Sequence, residues 1–268
     1  LTFRNDICRD MVETGKTQPP YYYMMPRKQH DPGELVKLIA LLKEHGVDVF
    51  ELDTELILEG RAYYPGDIVV PLAQPFRAFI KEVMEKQEFP ERHYTPDGEL
   101  IKPYDITSWS LPLHRHVESF EIEIRSTALE EGIQIIEGRY DLSIPLGEDA
   151  KAVVLAAEYN ESFRTAFSAL EEGFRVERVT ESVHTGQQNI SKGSFVIEVS
   201  ERKRAEMEKV LEDYPVPHRE LPGMDGISTR ELTLPRIALV ETYFHDMDAG
   251  WTRFILDQYH IPFDALKP

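Results

Sequence analysis

Two glycines, Gly46 and Gly66, stand 20 residues apart, and Gly173 and Gly193 repeat that interval 127 residues further along the chain. At the same offset Val49 falls on Val176, Ile68 on Phe195 and Val69 on Val196. A spacing shared by turn-forming and apolar positions implies one supersecondary unit used twice, each copy with its own core. In the first passage Tyr21–Met25 reads as a strand. Leu35, Val36, Leu38, Ile39 and Leu42 then keep one helical face, and Gly46 stops the helix where a residue of left-handed conformation is wanted. Strands follow at Val47–Phe50 and Ile68–Val70, the second closed by Pro71, and a helix over Pro75–Lys86. The second passage runs through strand Ala152–Ala156, helix Glu161–Glu172, strands Phe174–Val179 and Ser194–Val199, and helix Arg202–Leu211.

The alternation predicts an α/β fold of two related sheet-and-helix lobes, an internal duplication, followed by the start of a Rossmann-like βαβ unit. Residues 1–20 form an N-terminal segment, 21–113 the first lobe with a wrapping loop rich in proline and aromatics, and 114–150 connecting strands. Residues 151–226 form the second lobe. In 227–268 a strand over Arg236–Glu241 and a helix over Met247–Tyr259 are followed by the opening of another strand at Ile261, so the third unit is expected to be truncated.

Charge narrows the partners. With 48 acidic against 30 basic side chains the net charge is −18, which opposes the phosphate neutralisation that nucleic-acid binding needs, and nucleic acid is excluded as a partner. No apolar run approaches the roughly 20 residues of a membrane-spanning helix, so no span is expected. The lone Cys8 permits neither an internal disulfide nor a multi-cysteine metal site, and reads as a small buried apolar residue.

Three stretches stand out: Tyr64-Pro65-Gly66-Asp67-Ile68-Val69-Val70-Pro71 with Gln74-Pro75-Phe76-Arg77-Ala78; Pro103-Tyr104-Asp105-Ile106-Thr107 through Trp109 to Leu111-Pro112-Leu113; and Met247-Asp248-Ala249-Gly250-Trp251-Thr252-Arg253. Together they resemble a family of large bacterial M14-like zinc carboxypeptidases. The resemblance covers most of the chain. It implies a region that follows the catalytic domain and reaches into a class I glutamine amidotransferase-like segment. The parent would hold zinc in its catalytic domain and be exported or periplasmic. The peptidase domain would be this region's partner, with a peptide or cell-wall substrate as a further one.

The chemistry of such a peptidase needs a His-x-x-Glu pair with a distant His to hold zinc and ready a water, and no His-x-x-Glu occurs here. The expectation is therefore a non-catalytic accessory region with no catalytic, cofactor or metal residues of its own. An independent ligand-binding module of amidotransferase-like type is the alternative. His114, His116 and Glu118 are the richest local group of possible ligands, because an extended segment would set all three on one face. The pairs His45/Asp48 and His245/Asp248 are weaker decoys. Arg77, Asp105, Trp109, Asp248, Trp251 and Arg253 combine charge with aromatic neighbours, as a recognition surface or a structural brace would. Trp251 and Phe254, on an amphipathic helix, are expected in the core. Tyr21-Tyr22-Tyr23 reads as alternating burial in a strand rather than as a sugar or peptide platform.

Overall fold

The computed structural model describes residues 2–88, 90–102, 109–140, 142, 144–185, 188–242, 244 and 246–267. The chain divides into two compact units, Leu1–Tyr140 and Asp141–Pro268.

Unit 1 begins with helix α1 (Thr2–Thr17) and strand β1 (Tyr22–Met25), followed by α2 (Pro32–Glu44) and β2 (Phe50–Leu52). The hairpin β3 (Leu56–Leu58) and β4 (Arg61–Tyr63) leads to β5 (Ile68–Pro71) and α3 (Arg77–Met84). After α4 (Leu111–Arg115) come β6 (Phe120–Ile122), α5 (Thr127–Glu131) and β7 (Ile133–Ile135). Strands assemble in the order β6-β1-β5-β2-β7 with antiparallel pairing throughout.

Local chemistry explains the elements. Asp31 caps α2, its side chain accepting from the Gly33 amide at 2.9 Å ahead of a proline in the first turn. In the β3–β4 hairpin Glu59 and Gly60 both take positive φ, as the tight turn that matches strand twist requires. All four residues of β1 are buried. Tyr23 and Met25 pack with Leu35, Leu38, Ile39, Leu42 and Ile80 from α2 and α3, while Tyr22 and Met24 face Leu58, Tyr63 and Leu129 from the hairpin and α5.

Unit 2 contains β8 (Ala152–Leu155), α6 (Asn160–Glu171) and β9 (Val176–Val179), then the hairpin β10 (Val183–Thr185) and β11 (Gln188–Ile190). Next are β12 (Phe195–Glu198), α7 (Arg204–Asp213), β13 (His218–Leu221) and β14 (Thr229–Glu231), in the antiparallel order β13-β8-β12-β9-β14. A parallel pair, β15 (Ile237–Val240) and β16 (Phe263–Leu266), is joined by α8 (Asp246–Gln258).

The α/β class is thus seen, but with antiparallel main sheets: β1 and β2 are separated by β5, the split βαβ arrangement of ferredoxin-like topology. Unit 2 has the same order when β8, β9, β12, β13 and β14 are matched with β1, β2, β5, β6 and β7. The match extends to single hydrogen bonds. Gly66 N–H donates to Leu52 O at 2.8 Å and Gly193 N–H to Val179 O at 2.8 Å; Gly46 N–H reaches Lys43 O at 2.9 Å and Gly173 N–H reaches Leu170 O at 3.1 Å. All four glycines have positive φ, which a side chain would strain. Glu51↔Ile68 and Arg178↔Phe195 are register partners, so the offset of 127 holds across this pair of strands.

Several details differ from the sequence reading. Residues 120–122 and 133–135 do not connect the lobes: β6 and β7 are the two edge strands of the first sheet, because each finds its partner, β1 and β2, at long range. Cys8 lies on α1 and is half-buried. Among the described residues no helix is long and apolar enough to cross a membrane.

Helix α1 meets β5's exit at a single close approach. A Cβ on Gly15 would stand 2.1 Å from the Leu72 carbonyl oxygen, with no flexible atom to yield. Alanine normally favours a helix over glycine by about 1 kcal/mol. Gly15→Ala should instead lower stability, and urea denaturation followed by circular dichroism will show the sign.

Candidate functional site

Residues 85–119 join α3 to β6 in unit 1, whereas 214–217 suffice between α7 and β13 in unit 2. The longer connection builds a groove of about 490 Å³ along β6. Ser110, Pro112, Leu113, His116, Val117, Glu118 and Ser119 line it from the connection; Met84 and Lys86 come from the end of α3, Tyr23 and Glu121 from the sheet, and Arg61 from β4.

The groove has a fixed framework. Gln29 spans the entry to β6, accepting from Glu118 N–H at 2.7 Å and donating to Glu118 O at 3.2 Å and Pro26 O at 2.6 Å. Arg115 Nη1 bonds Glu34 Oε2 at 2.8 Å and ties α4 to α2. Arg61 lies over Phe120, its guanidinium carbon 3.7 Å from the ring centre. Tyr23 donates its hydroxyl to Glu121 Oε1 at 3.1 Å, and burial followed by the Glu121 charge raises its pKa far above the ordinary phenol value. Among the described residues the buried Ser119 hydroxyl has no hydrogen-bond partner.

His116 and Glu118 reach this groove, yet not as an extended metal face. Leu111–Arg115 is helical, with Pro112 in its first turn, and places His114 on α4; His116 ends that helix in the left-handed conformation. The His116 ring packs against that of His30, tilted by 31° with 4.8 Å between centroids. No group of three or more His, Cys, Asp or Glu side chains placed to hold a metal occurs among the described residues. His45 is stacked on Phe79 at 4.9 Å and bonded through Nδ1 to Leu41 O at 2.8 Å. Asp105 and His245 lie outside the described residues.

The remaining candidates separate by role. Arg77 is buried and donates through Nη2 to Gln18 O at 3.3 Å and Pro19 O at 3.2 Å, bracing the entry to β1. Its counterpart at the offset of 127 is Arg204, whose guanidinium donates to Gly147 O, Glu148 O and Ala150 O at 2.8–2.9 Å, bracing the entry to β8. Arg253 pairs with Glu241 at 3.1 Å and fastens α8 to the end of β15. Asp248 accepts the Thr252 hydroxyl at its backbone carbonyl, 2.9 Å. Trp109 is exposed.

Trp251 and Phe254 are corrected from core to surface. They meet edge to face at 5.8 Å, but 64% and 47% of their surfaces are exposed, because α8 covers only a two-stranded sheet and turns Ala249 inward.

A second cavity, of about 330 Å³, collects Lys16, Tyr21, Tyr22, Arg125 and Glu130. Tyr22 donates to Glu130 Oε1 at 2.6 Å, and Arg125 pairs with that oxygen at 2.7 Å. Burial first, then the Glu130 hydrogen bond and charge, pushes the Tyr22 hydroxyl up to about 12. The Tyr22 bond and then the Arg125 bond lower Glu130.

Sequence reading missed Arg61, Lys86, Ser119, His30 and Arg204. The offset of 127 could have found Arg204; the others converge from four separate segments, and no local pattern marks them. Compared with protein-family models, with curated proteins and with solved structures, the chain finds no match.

Two outcomes follow from the braces and the tyrosine. Lysine cannot reproduce a fork of hydrogen bonds to several carbonyls. Arg204→Lys and Arg77→Lys should each cost about 2 kcal/mol, read by urea denaturation. For Tyr22 the folded-state pKa lies above the unfolded one, so its stabilisation is complete below about pH 10 and disappears as the pH rises through about 12. Denaturation midpoints measured across that window should fall less steeply for Tyr22→Phe than for the unsubstituted chain.

Proposed function

We propose that the chain is a non-catalytic accessory region of an M14-like zinc metallocarboxypeptidase, which packs on the peptidase domain or helps position its substrate. One observation carries the reading: polar side chains in the first family-like stretch serve the fold. Asp67 accepts the Arg27 amide at 2.8 Å with one carboxylate oxygen and the Tyr64 amide at 2.9 Å with the other. Gln74 accepts from Asp48 N–H at 2.7 Å and donates to Asp48 O at 2.9 Å and Pro71 O at 2.7 Å. Arg77 completes the set at the β1 entry. Groups spent on backbone amides and carbonyls hold a scaffold in shape and have little capacity left for a reacting centre.

The common sheet order and the matched glycine bonds support a further part of the proposal, that the units are copies of one ancestral element. In this reading the first copy acquired the long connection and with it the groove. The parallel β15–α8–β16 unit favours the alternative of a ligand-binding module of amidotransferase-like type, since helix-crossed parallel strands are the building block of such sheets.

Zinc in the parent would then belong to its catalytic domain. After dialysis the purified chain should hold no stoichiometric zinc by elemental analysis and release no C-terminal residue from a chromogenic peptide. Added to the separately prepared peptidase domain, it should form a complex on size-exclusion chromatography. Bound zinc with turnover by the chain itself would overturn the proposal.

A further inference from the structure

Strand β6 pairs only with β1 among the described residues, so one of its backbone edges has no partner strand. Proteins ordinarily blunt such an edge, and an edge left beside a groove is the arrangement that accepts an added strand. Here the groove runs along Val117, Glu118, Ser119, Phe120 and Glu121, with Leu113 and Pro112 of α4 opposite.

We propose that this groove binds an extended peptide as an added strand on β6, with a carboxylate of that peptide against Arg61 and Lys86. Three observations converge on it. First, Arg61 and Lys86 line the groove together with Glu118 and Glu121, and whereas Glu121 accepts from Tyr23, neither cation is ion-paired among the described residues. Arg61 is held over the Phe120 ring, which positions a planar donor fork beside the strand edge before any ligand arrives. Second, the Ser119 hydroxyl is a buried group awaiting a bond in the groove wall, and a peptide backbone supplies both donors and acceptors. Third, the corresponding glutamate in unit 2 is held by the backbone. Glu220 stands at the register position of Glu121, pairing with Val153 as Glu121 pairs with Tyr23. Its carboxylate takes the Gly147 amide at 2.7 Å, and a Cβ on Gly147 would lie 2.6 Å from it. There the chain's own segment meets the glutamate that in unit 1 faces a groove.

Leu113, 64% exposed, supplies apolar surface for a side chain of the added strand, with the buried Met84 and Val117 behind the groove wall. The proposed site lies within unit 1, and the proposal is independent of the peptidase reading.

Fluorescein-labelled peptides in which valine alternates with glutamate, or with lysine, test it by anisotropy against the whole chain. Each peptide is prepared with an amidated and with a free C-terminus, separating a side-chain carboxylate from a terminal one. Saturable binding of the glutamate peptide, or of the free-terminus form alone, with slowed amide exchange at residues 118–122, is expected. Arg61→Glu should weaken it about tenfold and shift preference to the lysine peptide. Leu113→Asp, at a surface position, should weaken it without lowering the melting temperature. Equal saturable binding of the amidated glutamate and lysine peptides, binding without protection of β6, an unaffected Arg61→Glu variant, or no binding of any of the four peptides would each overturn the proposal.

Discussion

A strand with no wet face governs unit 1. Tyr22, Tyr23, Met24 and Met25 are all buried, so β1 needs an apolar cover on both sides of its sheet. Helices α2 and α3 supply one, and the β3–β4 hairpin with α5 supplies the other. Each buried side chain of this size is worth about 2 kcal/mol when removed from water. The two tyrosines would forfeit that gain if their hydroxyls went unbonded, which is why Glu130 and Glu121 stand where they do. In unit 2 the same strand position is taken by Ala152, Val153, Val154 and Leu155, with no hydroxyl to satisfy, and the glutamate corresponding to Glu121 is released to bond the backbone at Gly147.

The buried arginines answer a different problem. A chain entering a central strand must bring its carbonyls past the end of a helix, where water is scarce and acceptors lack backbone donors. Guanidinium is the side chain that can serve several carbonyls at once, and Arg77 and Arg204 do so from the first residue of α3 and of α7. The segment leading into β1 or β8 is therefore fixed by the helix that follows β5 or β12, which links the first and last parts of each split βαβ element.

Signals with short sequence range were readable. Glycines that must adopt positive φ, a proline that ends a strand and apolar residues on one helical face located α2, α6, β5 and β12 to within a few residues. The parallel β15–α8–β16 element followed from the same reasoning. Edge strands were assigned to the wrong level of organisation, because β6 and β7 have partners about 100 and 80 residues away and nothing local names them. Helix α4 leaves no readable signal, since five residues with a proline in the first turn give too short a period to recognise, and the extended face considered for residues 114–118 overlaps its end. Trp251 and Phe254 illustrate the limit of amphipathicity, which reports that a helix has an apolar face and is silent on whether anything covers it.

The groove lies at the junction of these two kinds of information. Its scaffold, β1 and β6 with the end of α3, belongs to the repeated topology, whereas its wall belongs to the one long connection that unit 2 lacks. A loop of that length inside a compact unit has an entropic cost that grows slowly with length, about 0.6 kcal/mol for each doubling, so an insertion is tolerated wherever its ends already lie close together. The ends here are the last turn of α3 and the start of β6. Gln29 replaces the strand partner that Glu118 would otherwise need, donating and accepting as a backbone does. That substitution ends the sheet's own pairing one side of β6 and leaves the other side facing Arg61, Lys86 and an unsatisfied hydroxyl, a composition suited to polypeptide more than to a compact apolar ligand.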